Sequence, residues 1–201
     1  MIYKSNIDKY RPIPFWSWNE KLNTDETKRQ VQLMKNAGLG GFFIHARGGL
    51  QTEFMSDEWF QNFLAAIEET EKTGMHPWAY DENGWPSGVG DGAVCKLGTA
   101  YQQKFLQIEE GTGDTPETIC NTGGYHLYYK INEHYIDTLN IDATNFFISE
   151  IYERYYQRVG NSIEGFFTDE PQITRNHIPW SFVLPSEFER RYGEDLLTLL
   201  P

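Results

Sequence analysis

The sequence predicts an α/β chain of about four successive β/α units, with a β-hairpin inserted after the third strand. Three observations carry this. Amphipathic segments that end in glycine are each followed, a few residues on, by a short apolar run. These runs are continuous rather than alternating, as in parallel strands buried on both faces. Each run also ends in polar or charged residues. Four such units are half of an eight-unit barrel or a small doubly wound sheet, and both bind ligands at the C-terminal ends of their strands.

The first strand is the aromatic run PIPFWSWN at 12–19. The helix LNTDETKRQVQLMKNAG follows, with Asn23 and Glu26 as a start signal and Gly38 as a stop. GFFIHA at 41–46 is the second strand. In the next helix Ser56 caps, Asp57 and Glu58 suit the positive end of the dipole, and Phe60, Phe63, Leu64 and Ile67 form one apolar face. HPWAYDEN is the third strand. Residues 101–110 and 124–131 read as two antiparallel strands joined by the turn-rich linker GTGDTPETICNTGG, so 99–135 is taken as an insertion within a single domain spanning 1–201. The third helix covers 140–160, where Phe147, Ile151 and Tyr155 recur at i+4 and Gly160 closes the run. GFFTDE at 165–170 repeats the Gly-Phe-Phe opening of the second strand. A last helix has Ser186 near its start and Gly193 near its end.

Composition narrows the function classes. With 39% hydrophobic and 15% aromatic residues the chain has enough material for a core. A net charge of −12 argues against nucleic acid or an anionic membrane as partner. No apolar run approaches the ~18 residues of a membrane span. The opening MIYKSNIDKYRP lacks an apolar leader core, which predicts no secretory signal and a cytoplasmic protein. Cys95 and Cys120 lack metal-ligand spacing and read as free thiols of a reducing compartment.

The strand ends gather the chemistry: Trp16, Trp18 and Asn19, then His45 and Arg47, then Asp81 and Glu82, then Asp169 and Glu170. Strand alternation gives Glu170 the face of Thr168 and Phe166 and turns Asp169 the other way, so one acid is catalytic and the other is a hydrogen-bonding support or a metal ligand. A carboxyl buried beside tryptophan holds its proton more tightly, the means by which a glutamate serves as general acid. Glycoside cleavage needs such an acid and a second carboxylate across the sugar, and flat indoles suit the C–H face of a pyranose. Plainer readings stand beside these. The two acids also fit a solvated strand end, His45 a structural histidine, Trp16 and Trp18 a core, Asp81 and Glu82 loop braces, and Arg47 an ion-pair partner. SGVGDGA, with Gly88, Gly90 and Ala93, is a relaxed dinucleotide fingerprint. Trp85 and Pro86 separate it from the strand, and the segment after it reads as β, so it is read instead as a tight loop over the site. Zinc motifs, a P-loop and a nucleophile elbow are absent, and no metal-ligand set is assigned.

PFWSWNEKL, MKNAGLGGFFIHARGGL, YDENGWPSG, YIDTLN, FTDEP and FERRYGEDLLTLLP, in that order, resemble the N-terminal part of the catalytic barrel of the α-L-rhamnosidase-related glycosidases, glycoside hydrolase family 106 and its relatives. The resemblance spans nearly the whole chain. It implies part of a (β/α)8 TIM-type barrel, inverting hydrolysis of terminal α-L-rhamnosides, and a calcium ion holding sugar hydroxyls. It implies that Glu170 is the general acid and that the base is a glutamate on a later strand than any in these 201 residues.

Two expectations follow. One is a glycoside hydrolase barrel fragment acting on a terminal deoxysugar, with Glu170 catalytic, Asn19, His45, Arg47, Asp81, Glu82 and Asp169 lining the sugar subsite, and Trp16, Trp18 and Trp85 as its walls. The other is a carbohydrate-binding or assembly module that lacks the base. Open sheet edges would let either pair with a second copy.

Overall fold

The computed structural model describes residues 10–174 and 176–200. They form a mixed α/β structure with one parallel and one antiparallel sheet, divided between two compact units. The first holds the described part of Met1–Asp91 together with Ser149–Glu170; the second holds Gly92–Ile148 with the described part of Pro171–Pro201.

In the first unit, β1 (Phe15–Trp18), β2 (Gly41–Ala46), β3 (His76–Asn83) and β7 (Phe166–Phe167) make a sheet in the order β1-β2-β3-β7, every pairing parallel. The helices form where their caps lie. Helix α1 (Thr24–Asn36) starts at Asn23, whose side chain accepts from the N–H groups of Asp25 and Glu26 at 3.0 and 3.1 Å. Helix α2 (Asp57–Thr73) starts at Ser56 and ends at Gly74, whose φ of 65° suits a residue without Cβ.

The sheet has two distinct faces. Trp16, Trp18, Phe42, Ile44 and Ala79 face the helices, where the Trp18 ring meets Trp59 at 4.9 Å and the Trp59 indole donates to the Tyr155 hydroxyl at 3.1 Å. Phe15, Phe43, His45, Trp78, Tyr80 and Phe167 share the other face in mutual ring contact.

The segment expected to be one uniform helix is not. It runs as α3 (Ile141–Ile148) in the second unit, and as a π-helical turn (Ser149–Glu153) followed by α4 (Arg154–Val159) in the first. The wider π turn is a local change of hydrogen-bond register that apolar spacing does not signal.

The expected hairpin is part of a larger sheet. In the second unit β5 (Thr118–Thr122), β6 (Tyr125–Ile136), β4 (Gln102–Glu110) and β8 (Ile178–Trp180) lie in the order β5-β6-β4-β8, all antiparallel. The linker taken as turn contains β5, because Gly123 and Gly124 both adopt positive φ and close a two-residue hairpin turn onto β6. Leu106, Leu127 and Trp180 form the core, with Leu184 of α5 (Leu184–Tyr192) and Leu196 and Leu197 of α6 (Leu196–Leu199) packed on it. The buried Lys104 ammonium bonds Asp137 at 3.1 Å and the Gln102 carbonyl at 2.6 Å, and Ser181 donates to the same Asp137 oxygen at 2.7 Å. No helix among the described residues is long and apolar enough to cross a membrane.

Candidate functional site

The strand ends of the first unit deliver polar groups to one rim, and Ser87 joins two of them, Asp81 and Asp169, in one hydrogen-bonded network. His45, at the end of β2, is 5% exposed and stacks on Tyr80 of β3 with ring centroids 3.6 Å apart. Its Nε2 lies 3.1 Å from the Gly84 carbonyl. A carbonyl only accepts, so Nε2 carries the proton and Nδ1 is the acceptor of the neutral ring. Burial pushes the imidazole down from its ordinary value, with the Gly84 carbonyl opposing.

Tyr80 donates its hydroxyl to Asp169 at 3.1 Å, and burial pushes this phenol up. Asp169 is also held through its backbone. The Ser87 N–H donates to its carbonyl at 3.0 Å, and its own N–H donates to Ser87 Oγ at 2.9 Å.

Asp81 is fully buried. It accepts from Ser87 Oγ at 2.5 Å, from the Tyr152 hydroxyl at 2.5 Å, and from Thr168 Oγ1. Tyr152 comes from the π-helical turn, and burial pushes its phenol up as well. Thr168 and Asp169 therefore use opposite faces, as alternation requires. Alternation stops there. Strand β7 ends at Phe167, and Glu170 takes φ 41°, so its direction does not follow from Thr168 and Phe166 as the sequence suggested. Glu170 is exposed.

Glu82 is 2% exposed and accepts four backbone N–H groups: Asn83 at 3.0 Å, Val89 at 2.8 Å, Gly90 at 2.7 Å and Asp91 at 2.6 Å. A carboxylate offers about four acceptor sites, so these bonds fill it. Burial pushes the Glu82 carboxyl up, and the four N–H donors oppose that. The glycine-rich run thus forms an N–H nest of the kind that holds phosphate, with an internal carboxylate in it. This removes the basis of the dinucleotide reading.

The expected sugar walls divide. Trp16 and Trp18 are 9% and 3% exposed on the helix-packed face, with the Trp16 indole donating to Gln30 at 2.8 Å. They belong to the core beneath the helices, on the face opposite His45 and Tyr80. Trp85 is 49% exposed, and Asn19 and Arg47 are exposed where β1 and β2 end. The Asn19 carbonyl lies 2.8 Å from where a Cβ on Gly49 would stand, and Gly49 has φ 103°, so only glycine fits there. His45, Asp81, Glu82 and Asp169 are brought together. Tyr80, Ser87, Tyr152 and Thr168 join them without having been singled out in the sequence. The serine that opens the glycine run, six residues after Asp81, is the one local signal that pointed to any of the four.

No family model matches the chain, and no curated protein matches it. Among solved structures the chain is similar to a rhamnosidase from Novosphingobium sp. PP1Y, with a TM-score of 0.43 and 22% identity. The match covers 59% of this chain and 12% of that one, so it spans a small part of that protein's length. The relationship is at most distant, and it assigns no residue a role.

Proposed function

We propose that this rim binds the terminal deoxysugar of a glycoside, of the α-L-rhamnoside type, and that Glu170 gives the proton to the leaving oxygen. The observation that carries the reading is the contrast between Glu170 and its neighbour. Asp169 is fixed by Ser87 and Tyr80, and the next residue is an exposed acid on left-handed backbone. The exposure of Glu170 departs from the burial beside tryptophan expected of a general acid; what supports the reading is access to a leaving oxygen from an anchored backbone. In this reading Asp169 and the Nδ1 acceptor of His45 meet sugar hydroxyls, while Asn19, Arg47 and Trp85 form the exposed wall. Asp81 and Glu82 brace the rim from below. The four parallel strands are then part of a (β/α)8 barrel in one domain, with 99–135 inserted after β3. Where the four strands stand without the rest of a barrel, the outer edges of β1 and β7 are where a second copy would pair.

Calcium has a restricted place here. The oxygens of Asp81 and Glu82 already accept O–H and N–H hydrogen bonds and do not fit a cation that takes six to eight oxygen ligands. Asp169 and Glu170 are the acidic rim residues against which to test it.

The same saturation favours a second reading, a sugar-binding module without turnover. Inverting cleavage requires a carboxylate to activate water. Neither Asp81 nor Glu82 can take that part while its oxygens are occupied. Assay of the chain on an aryl α-L-rhamnoside, with sugar binding measured in parallel, separates the two. Turnover lost in Glu170→Gln supports the acid; binding without any turnover leaves the module.

A further inference from the structure

We infer that Ser87 is a positioning residue for Glu170, an inference that rests on the rim reading and concerns how its acid is aimed. Ser87 is 1% exposed and sits at a junction. Its Oγ donates to Asp81 at 2.5 Å and accepts the Asp169 N–H at 2.9 Å, while its own N–H holds the Asp169 carbonyl at 3.0 Å. The Asp169 carbonyl belongs to the peptide that leads into Glu170, so this last bond fixes the plane from which Glu170 departs.

Glu170 leaves that plane with φ 41°. Left-handed backbone is strained for a residue that carries a side chain, and it persists only where the surroundings over-determine it. The surroundings here are well anchored on both sides. Asp81, which orients Ser87 Oγ, is itself held by Tyr152 and Thr168. The loop that carries Ser87 is tied to Glu82 through Val89, Gly90 and Asp91. Ser87 therefore transmits the rigidity of two buried carboxylates to a residue that is itself exposed. A merely structural serine would anchor its loop and stop there; a positioning serine also sets the residue after its partner.

The test compares the unaltered chain with Ser87→Ala, reading aryl α-L-rhamnoside kinetics and the hydrogen exchange of single amides. The expected result is a kcat reduced at least tenfold with KM within twofold, and exchange at least tenfold faster at the amides of both positions 87 and 169, which donate to the Asp169 carbonyl and to Ser87 Oγ. Unchanged kcat in Ser87→Ala overturns the inference. If the unaltered chain shows no turnover, the catalytic reading fails separately and the amides decide alone. Faster exchange at both positions then shows that the peptide leading into Glu170 has loosened and supports positioning, and faster exchange at Asp169 only, or at neither, overturns it. Ser87→Cys, which keeps the side chain's shape and weakens its hydrogen bonds, covers the case of a Ser87→Ala chain that does not fold. A lower kcat, or faster exchange at the amides of both positions 87 and 169, is expected of it, and the absence of both changes overturns the inference.

Discussion

The phenol of Tyr152 donates to the buried carboxylate of Asp81 at 2.5 Å, joining residues 71 apart in the chain. Tyr152 stands on a π-helical turn and Asp81 ends a strand, so the bond ties a helix to the rim. Tyr152→Phe keeps the ring on Phe166, which it meets at 4.6 Å, and removes only the hydroxyl. A charge-assisted bond to a buried acid contributes about 1.5–3 kcal/mol. Urea unfolding of Tyr152→Phe is expected to show a loss of that size; an unchanged midpoint would mean that Asp81 is satisfied without it.

Glu82→Gln keeps the shape and changes the chemistry. The amide places an NH2 group where two backbone N–H donors point, leaving them unpaired. A buried unsatisfied donor costs about 1–3 kcal/mol. Hydrogen exchange of Val89, Gly90 and Asp91 is expected to quicken together, while the α2 amides stay protected. No change at those three amides would contradict the nest.

His45 gives a pH dependence with a definite sign. The ring is buried and its folded-state value lies below the ordinary 6.5. Between the lowered folded value and 6.5 the unfolded chain binds more protons than the folded one, so stability rises with pH across that window. Its contribution is complete above about 6.5 and is lost as pH falls towards the folded value. The Tm difference between the unaltered chain and His45→Gln is expected to shrink as pH is lowered from 7.5 to 5. A difference that grows on acidification would mean that the folded ring takes a proton more readily than the unfolded one.

In the second unit, Asp137→Ala leaves the Lys104 ammonium buried without its anion. Burial already pushes the Lys104 pKa down, with Asp137 opposing. Removing one partner of a buried pair costs about 3–5 kcal/mol. Chemical denaturation followed by circular dichroism is the check, and an unchanged midpoint would contradict a buried pair that needs its anion.

Local pattern was enough for much of the fold. Asn23 and Ser56 announce their helices, Gly160 and Gly193 end theirs, and the two Gly-Phe-Phe openings mark β2 and β7. The parallel order follows from alternating helices and apolar runs. Strand β8 is three residues long and was invisible, because it exists only by pairing with β4. The candidate site was half legible. Acids at strand ends stand out in a sequence, but what saturates them does not. The donors to Asp81 come from 6, 71 and 87 residues away. Trp16 and Trp18 drew attention as indoles near a rim. Their register opposite Ile44 and Ala46 places them on the face away from His45, and that parity becomes readable only when strand pairing is known.

The account turns on Glu170 as an exposed acid on a fixed backbone. The most direct measurement is turnover of an aryl α-L-rhamnoside by the unaltered chain and by Glu170→Gln, with L-rhamnose binding measured on both. With azide added as the nucleophile, since neither Asp81 nor Glu82 can activate water, the account predicts turnover in the first, a loss of at least a hundredfold in the second, and sugar affinity within a few-fold between them. Equal turnover in the two chains, or sugar binding that disappears with Glu170→Gln, would contradict it.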